Sequence, residues 1–243
     1  MSRFYIPPDA IKGGKIYAGK EESRHIASVM RLKEGDGVTV FDGSGKEYIG
    51  RIESIKNKNV IIGIEKSFTA AEKPSAEISL AQVLIKKDKM DYIVEKATEL
   101  GAAAIIPLET ERSVIHADKT REVHKFERWQ KIAIAAAKQC GRNDLPEIKS
   151  ITPFKEMLRS FADYDIVIMP CLFEGTIPLK DALKKIKDPK KMLLLIGPEG
   201  DFTPDEIARA EREGALLVSL GKLVLKSDTA AVAALAILNH SLL

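Results

Sequence analysis

From residue 78 onward the chain alternates short apolar runs with helical stretches, and that alternation limits its fold more than any other feature. The runs are ISLAQVLIK (78–86), AAIIPL (103–108), DIVIMPC (165–171), Met192–Ile196 and Ala215–Leu220. Each is short enough for a strand and apolar enough to be buried on both faces. Helical periodicity fills the gaps. Met90, Ile93, Val94, Ala97 and Leu100 fall on one side of a helix over 88–100, which Gly101 stops. A longer helix over 122–139 carries Val123, Phe126, Trp129, Ile132, Ala133 and Ala136 as an apolar stripe, read as core or dimer interface rather than a base-stacking platform. Pro178–Ile186 is a further helix, and the chain ends in an Ala-rich one. Five or more buried strands with helical crossovers predict an α/β fold, a mostly parallel sheet covered on both faces.

Three glycine-containing loops leave these strands. Met192–Ile196 breaks at Gly197-Pro198-Glu199-Gly200, Ala215–Leu220 ends at Gly221, and 165–171 runs into Leu172-Phe173-Glu174-Gly175. All three belong to strand carboxyl ends, the edge where open α/β sheets bind ligands. On spacing alone, turn punctuation explains the glycines equally well. The helix after the first loop has its start written out: Thr203 as N-cap, Pro204 at the first helical position, Glu206 completing a capping box, and Gly214 as the stop.

Residues 1 to about 70 follow another pattern. VTVFDG (38–43), EYIGRIESI (47–55) and VIIGIEKSF (60–68) are strand-like and separated by turn residues, and a short helix fits Glu21–Val29. Regular short strands predict a small barrel. TAAEKPSA (69–76) loses all periodicity and reads as a linker, giving domains 1–71 and 72–243. The polar stretch 109–121 is a long loop of the kind that carries function.

Charge adds a little. Net charge is +3, and residues 1–70 hold 12 Lys and Arg against 9 Asp and Glu, so the whole excess lies there. That is mild support for RNA contact, with Arg3, Arg24, Arg31 and Lys33 as candidate phosphate ligands. No apolar run approaches the roughly 20 residues of a membrane span, and MSRFYIPPDA lacks the apolar core of a signal peptide. Two cysteines far apart, Cys140 and Cys171, fit a reduced, cytoplasmic setting. His25, His116, His124 and His240 show no metal-ligand spacing, so no metal is expected.

The residues themselves say more than their spacing. IGPEGDFTPDEI followed by VSLGKLVLKSDTAAVAAL resembles the ribosomal RNA small subunit methyltransferase E family of the SPOUT superfamily, which reads IGPEGGF and later S-L-G-x-R-I-L-R-x-E-T-A. The chain departs at Asp201 (usually Gly), Leu223 and Lys226 (usually Arg) and Asp228 (usually Glu). HIASVMRLKEGDGVTVFDG is similar to the family's N-terminal PUA-like domain. KATELG (96–101) and Glu111-Arg112-Ser113 resemble further family motifs, and Gln139-Cys140-Gly141-Arg142 resembles its QSGR with Cys140 where Ser or another small residue is common, so the resemblance covers nearly the whole chain.

The resemblance implies a trefoil-knotted, dimeric domain that binds S-adenosylmethionine in the knot and methylates N3 of a uridine in 16S ribosomal RNA, free or in the small subunit. Carried onto this chain, the cofactor site comprises Leu172, Gly197, Pro198, Glu199, Gly200, Leu220, Gly221, Leu225 and Thr229. The glycines admit backbone contacts to an adenine, and the leucines form apolar walls. Glu199 either faces the sulfonium charge or caps local N–H groups. N3 of neutral uracil carries a proton that must leave, so the site needs a base or a cation favouring the anion. Arg112, Arg142, Lys226 and Asp228 are the polar residues expected near the edge. Asp228 is the choice for the base and Arg142 is placed with it among the catalytic residues, with Arg112 and Lys226 on RNA; the competing role for Asp228 is N-cap of the last helix, and for Arg142 an RNA or subunit contact or a charge offsetting the helix dipole. Three other functions compete: a SPOUT enzyme with another RNA target, a non-catalytic RNA-binding protein, and a nucleotide-phosphate enzyme. Against the last, there is no GK[ST] and Glu199 would repel phosphate.

Overall fold

The computed structural model describes residues 2–56, 59–69, 75–113 and 119–241. The expected turn at 56–59, linker at 69–76 and loop at 109–121 lie partly outside them, as does His116. The chain forms two compact units, one of residues 1–72 with 137–145, the other of 73–136 with 146–243.

In the first unit the strands are β1 (Ser2–Tyr5), β2 (Ile11–Lys12), β3 (Lys15–Ala18), β4 (Gly37–Phe41), β5 (Lys46–Lys56) and β6 (Asn59–Thr69). They form one mixed sheet in the order β1-β4-β5-β6-β3-β2, with β1 parallel to β4 and the other pairs antiparallel. Register shifts at Ile49/Gly50 and Ile52/Ser54 bend the long β5–β6 ribbon. Among the described residues no strand pairing joins β1 to β2, so hydrogen bonding does not close the expected barrel at that edge. Phe4, Ile16, Ile26, Val38, Val40, Ile52 and Ile62 fill its core. The predicted helix is present as α1 (Lys20–Arg24), continued by a π-turn over 25–29. Ser23 is fully buried because its hydroxyl donates to Ala18 O and accepts from Val60 N, tying α1 to β3 and β6.

Asp42 organises the β4–β5 turn: its buried carboxylate accepts from Ser44 N and Oγ and from Tyr48 Oη. The segment 137–145 adds to the same unit. Leu145 N donates to Gly43 O, Gly45 N to Asn143 O, and Arg3 reaches Arg142 O and Asn143 Oδ1.

The second unit is built on β7 (Glu77–Val83), β8 (Ala104–Glu109), β9 (Glu147–Ile148), β10 (Thr152–Pro153), β11 (Ile166–Pro170), β12 (Ile177–Pro178), β13 (Lys191–Ile196) and β14 (Leu216–Ser219). Every pairing is parallel, in the order β10-β8-β7-β13-β11-β14-β12, with β9 also on β8. The helices are α2 (Lys87–Glu99), α3 (Lys119–Cys140), α4 (Phe154–Arg159), α5 (Leu179–Leu183), α6 (Pro204–Arg212) and α7 (Ser227–Ser241).

Strand alternation splits the core into two layers. Met192, Leu194 and Ile196 face a layer with α2, α3, α5 and α7, while Leu193 and Leu195 face one with α4 and α6. The apolar residues expected on α2 are buried or packed on the core. Trp129 is 5% exposed and part of the core; Val123, expected on the same stripe, is 60% exposed. The capping box is formed as its residues predict: Glu206 N donates to Thr203 Oγ1 and Thr203 N to Glu206 Oε2. Among the described residues no helix is long and apolar enough to cross a membrane.

Candidate active site

Adjacency of β13, β11 and β14 puts their three exit loops side by side. Between them lies a cleft, at the strand ends where open α/β sheets bind ligands. Pro170–Leu172, Ile196–Glu199 with Asp201, and Ser219–Gly221 line it from the three strands, and Leu223–Leu225, Ser227 and Ala230 close it from the chain entering α7. Of the nine expected cofactor residues, Leu172, Gly197, Pro198, Glu199, Leu220, Gly221 and Leu225 line the cleft; Gly200 and Thr229 do not.

Two glycines have distinct physical reasons. A Cβ on Gly197 would stand 3.0 Å from the ring of Phe202, which is buried beneath the loop. Gly221 has φ 142°, a backbone state that side chains disfavour, and Ser219 Oγ brackets it by donating to its O and accepting from its N. Gly200 has neither need: a Cβ there would meet only Arg112 Cδ, at 3.9 Å. Its part in the site is its carbonyl, which accepts from Arg112 Nη1 at 2.6 Å.

The entry to α7 is tied beneath the first loop. Ser227 Oγ donates to Gly197 O at 2.6 Å and accepts from Gln82 Nε2 at 3.0 Å. Gln82, at the end of β7, is fully buried. Sequence reasoning passed over both residues, since a lone Gln in an apolar strand was the only signal. Asp228 follows. The helix starts at Ser227, so Asp228 lies inside the first turn rather than at the N-cap position. Its Oδ1 is buried and accepts no hydrogen bond among the described residues.

Lys89, on the first turn of α2, was also missed; it forms an ion pair with Glu199. Its pKa is raised, chiefly by the hydrogen bond to Glu199; desolvation is the next largest effect and opposes it, and the charges of Glu199, Asp228 and Asp88 each add a smaller increase. The negative charge of Glu199 at the cleft edge is therefore already matched. Cys171 lines the cleft with its thiol pushed up to about 11, first by burial and then by Asp201 and Glu211. It is a neutral wall, not a nucleophile.

The remaining expected residues are spread more widely. Arg112 and Lys226 are exposed in the second unit. Arg112 clamps the first glycine loop, while Glu206, only 7% exposed, accepts Glu111 N as well as its own cap. Arg142 belongs to the first unit and grips Asp144 through two nitrogens. Arg3 pairs with Glu47 there and stacks 4.5 Å over the Phe41 ring, whereas Arg24, Arg31 and Lys33 are exposed.

A family model described as an RNA methyltransferase domain matches residues 71–239, and one described as an RNA methyltransferase PUA domain matches 18–65. The ribosomal RNA small subunit methyltransferase E of Bacillus subtilis is 32% identical over 225 residues, 90% of this chain and 88% of that protein. The chain belongs to the ribosomal RNA small subunit methyltransferase E family. The Synechocystis member is 31% identical, over 98% of this chain and 77% of its own. Among solved structures, a methyltransferase from Legionella pneumophila in complex with S-adenosylmethionine superposes with a TM-score of 0.90 at 32% identity, covering 99% and 97% of the two chains. The family member from Neisseria gonorrhoeae, bound to S-adenosylmethionine, gives 0.87 at 29% identity, with 99% and 97% covered.

Proposed function

We propose that the chain is an S-adenosylmethionine-dependent methyltransferase that modifies N3 of a uridine in 16S ribosomal RNA. The observation that carries the cofactor reading is the cleft at the exits of β11, β13 and β14. Its apolar walls, Leu172, Leu220 and Leu225, suit an adenine, and Gly197 and Gly221 bring backbone close without a side chain between. Relatives carrying this fold at about 30% identity are solved with that cofactor. The cofactor, when bound, supplies an electrophilic methyl group.

The chain's own residues then have two tasks. Asp228, one residue beyond the cleft wall at Ser227 and with a buried oxygen lacking a donor, takes the N3 proton. Lys89, charged and within the field of Asp228, favours the uracil anion so formed. Arg112 and Lys226 are exposed cations of this unit available to RNA phosphates; Arg24, Arg31 and Lys33 are exposed on the PUA unit. Arg142 stands in the first unit with its guanidinium on Asp144, and no step is assigned to it.

Two further features complete the reading. Leu172, Phe173, Leu223 and Val224 are 44–80% exposed around the cleft, and a second copy of the chain covering them would make a homodimer. From β14 the chain passes the Gly197 loop and returns in α7 to pack on α2, β7 and β13, a path compatible with a trefoil knot.

Labelled S-adenosylmethionine, 30S subunits and free 16S RNA, with reverse transcription across the product, test this function. Methylation at N3 blocks the pairing edge and stops the transcriptase at one uridine. Asp228→Asn should lower the rate by at least about 100-fold, the usual scale of a lost general base, with cofactor affinity kept. Incorporation without such a stop would place the methyl group elsewhere and overturn the N3 assignment.

A further inference from the structure

Asp201 is the only cleft-lining residue among those described that combines a non-glycine side chain with a positive φ, 57°. Its N–H donates to Pro198 O at 3.0 Å, so a tight turn at the end of the glycine loop imposes this conformation. Asp and Asn tolerate the left-handed region better than other side chains, and glycine tolerates it best. What the side chain does there accounts for its presence. Oδ1 accepts from Phe202 N at 2.8 Å, which anchors the carboxylate to a residue buried in the core. Oδ2 accepts from Leu172 N at 2.7 Å.

That second bond crosses between strands. Leu172 is in the exit loop of β11, Asp201 in that of β13, and both line the cleft. The Leu172 side chain is 66% exposed, so packing does little to hold it over the cleft. Its backbone is held instead, by the neighbouring Cys171 N bond to Val218 O and by Asp201. The carboxylate also rests on Gly197, whose Cβ would lie 3.3 Å from Oδ1, so the glycine leaves room for it.

We propose that Asp201 is a positioning residue: a carboxylate latch that joins two cleft-lining loops and sets the Leu172 wall against the cofactor. It acts through the Leu172 N–H rather than by offering its charge to the ligand, because each oxygen is already oriented by a backbone donor. The inference rests on the S-adenosylmethionine reading above.

The test is calorimetric titration of the full chain with S-adenosylmethionine and with S-adenosylhomocysteine, which lacks the sulfonium charge. Asp201→Gly suits the backbone and removes the latch. It should weaken both ligands equally, by roughly 10-fold, the scale of one lost charge-assisted hydrogen bond. Asp201→Asn keeps one acceptor oxygen but sets its amide NH2 against the other backbone N–H, and should bind between wild type and Asp201→Gly. A loss confined to S-adenosylmethionine, or an Asp201→Gly protein that binds like wild type, would overturn the latch. Amide exchange on the ligand-free protein separates this failure from that of the cofactor reading. If Leu172 N–H exchanges faster in Asp201→Gly while wild type binds neither ligand, the loop contact stands and the cofactor role falls.

Discussion

Lys89 shows how little of a site's charge network is written at any one residue. In sequence it is one lysine among three in KKDK; in the structure it joins the first turn of α2 to Glu199 at the cleft edge. Both side chains are partly exposed, so the pair itself adds little to the stability of the fold. Lys89→Met should leave Tm almost unchanged yet weaken S-adenosylmethionine by roughly 3- to 10-fold, because Glu199 loses its tether beside the ligand; titration of the variant checks it. Cys171 makes an opposite case. A cysteine in a cofactor cleft invites a catalytic role, but burial holds its thiol protonated. At pH 8 a thiol reagent should modify exposed Cys140 first and Cys171 slowly, as peptide mass mapping over time would show.

Among the elements, α6 was the most readable. Thr203, Pro204, Glu206 and Gly214 specify it locally, and the structure forms it between 204 and 212. Less visible was the second use of Glu206, which also accepts Glu111 N and so links α6 to the chain after β8. Thr203→Ala should cost about 1 kcal/mol. Glu206→Ala leaves buried Thr203 N and the more exposed Glu111 N without their carboxylate acceptor and should cost roughly 1–3 kcal/mol, a larger fall in melting temperature that calorimetry resolves.

The 137–145 segment carries the clearest pH signal. Burial alone would raise the Asp144 carboxyl; the hydrogen bond and charge of Arg142 overcome it and hold the pKa below its ordinary value. A depressed carboxyl contributes stability that is present above its unfolded pKa and lost as pH falls through the folded one. Asp144→Asn should therefore lower stability at pH 7 and flatten its decline below about pH 4, measured by denaturant unfolding across pH.

For the whole molecule, the expected boundary near residue 71 leaves out the segment 137–145, which groups with the first unit. The end of α3 completes the first unit through Arg142, Asn143 and Leu145, more than 60 residues past that point. Cutting the chain at residue 71 should leave an N-terminal fragment in which Arg3 loses Arg142 O and Asn143 Oδ1 and Gly43 O loses Leu145 N, and which is more readily digested than the same region in the intact chain. Leu223 and Val224 raise a separate question of scale. Leu223 stands where the family pattern has Arg, and both side chains are largely in solvent in one copy. If the homodimer forms there, Val224→Glu should shift the species seen by light scattering from two chains to one while the monomer's melting temperature barely moves.

Local chemistry was enough to establish the parallel sheet, its helices, the capping box and the strand-exit edge of the site. Apolar runs, glycines and caps act within a few residues of themselves, so they can be read without the rest of the chain. The strand order β7-β13-β11-β14 could not be read that way. It decides that three separate exit loops share one cleft, that Ser227 meets Gly197 and Gln82, that Lys89 meets Glu199, and that Asp201 holds Leu172. Each of those contacts joins residues that are neighbours in space and distant along the chain. Their partners are chosen by how the sheet packs, and no spacing within the sequence records that choice.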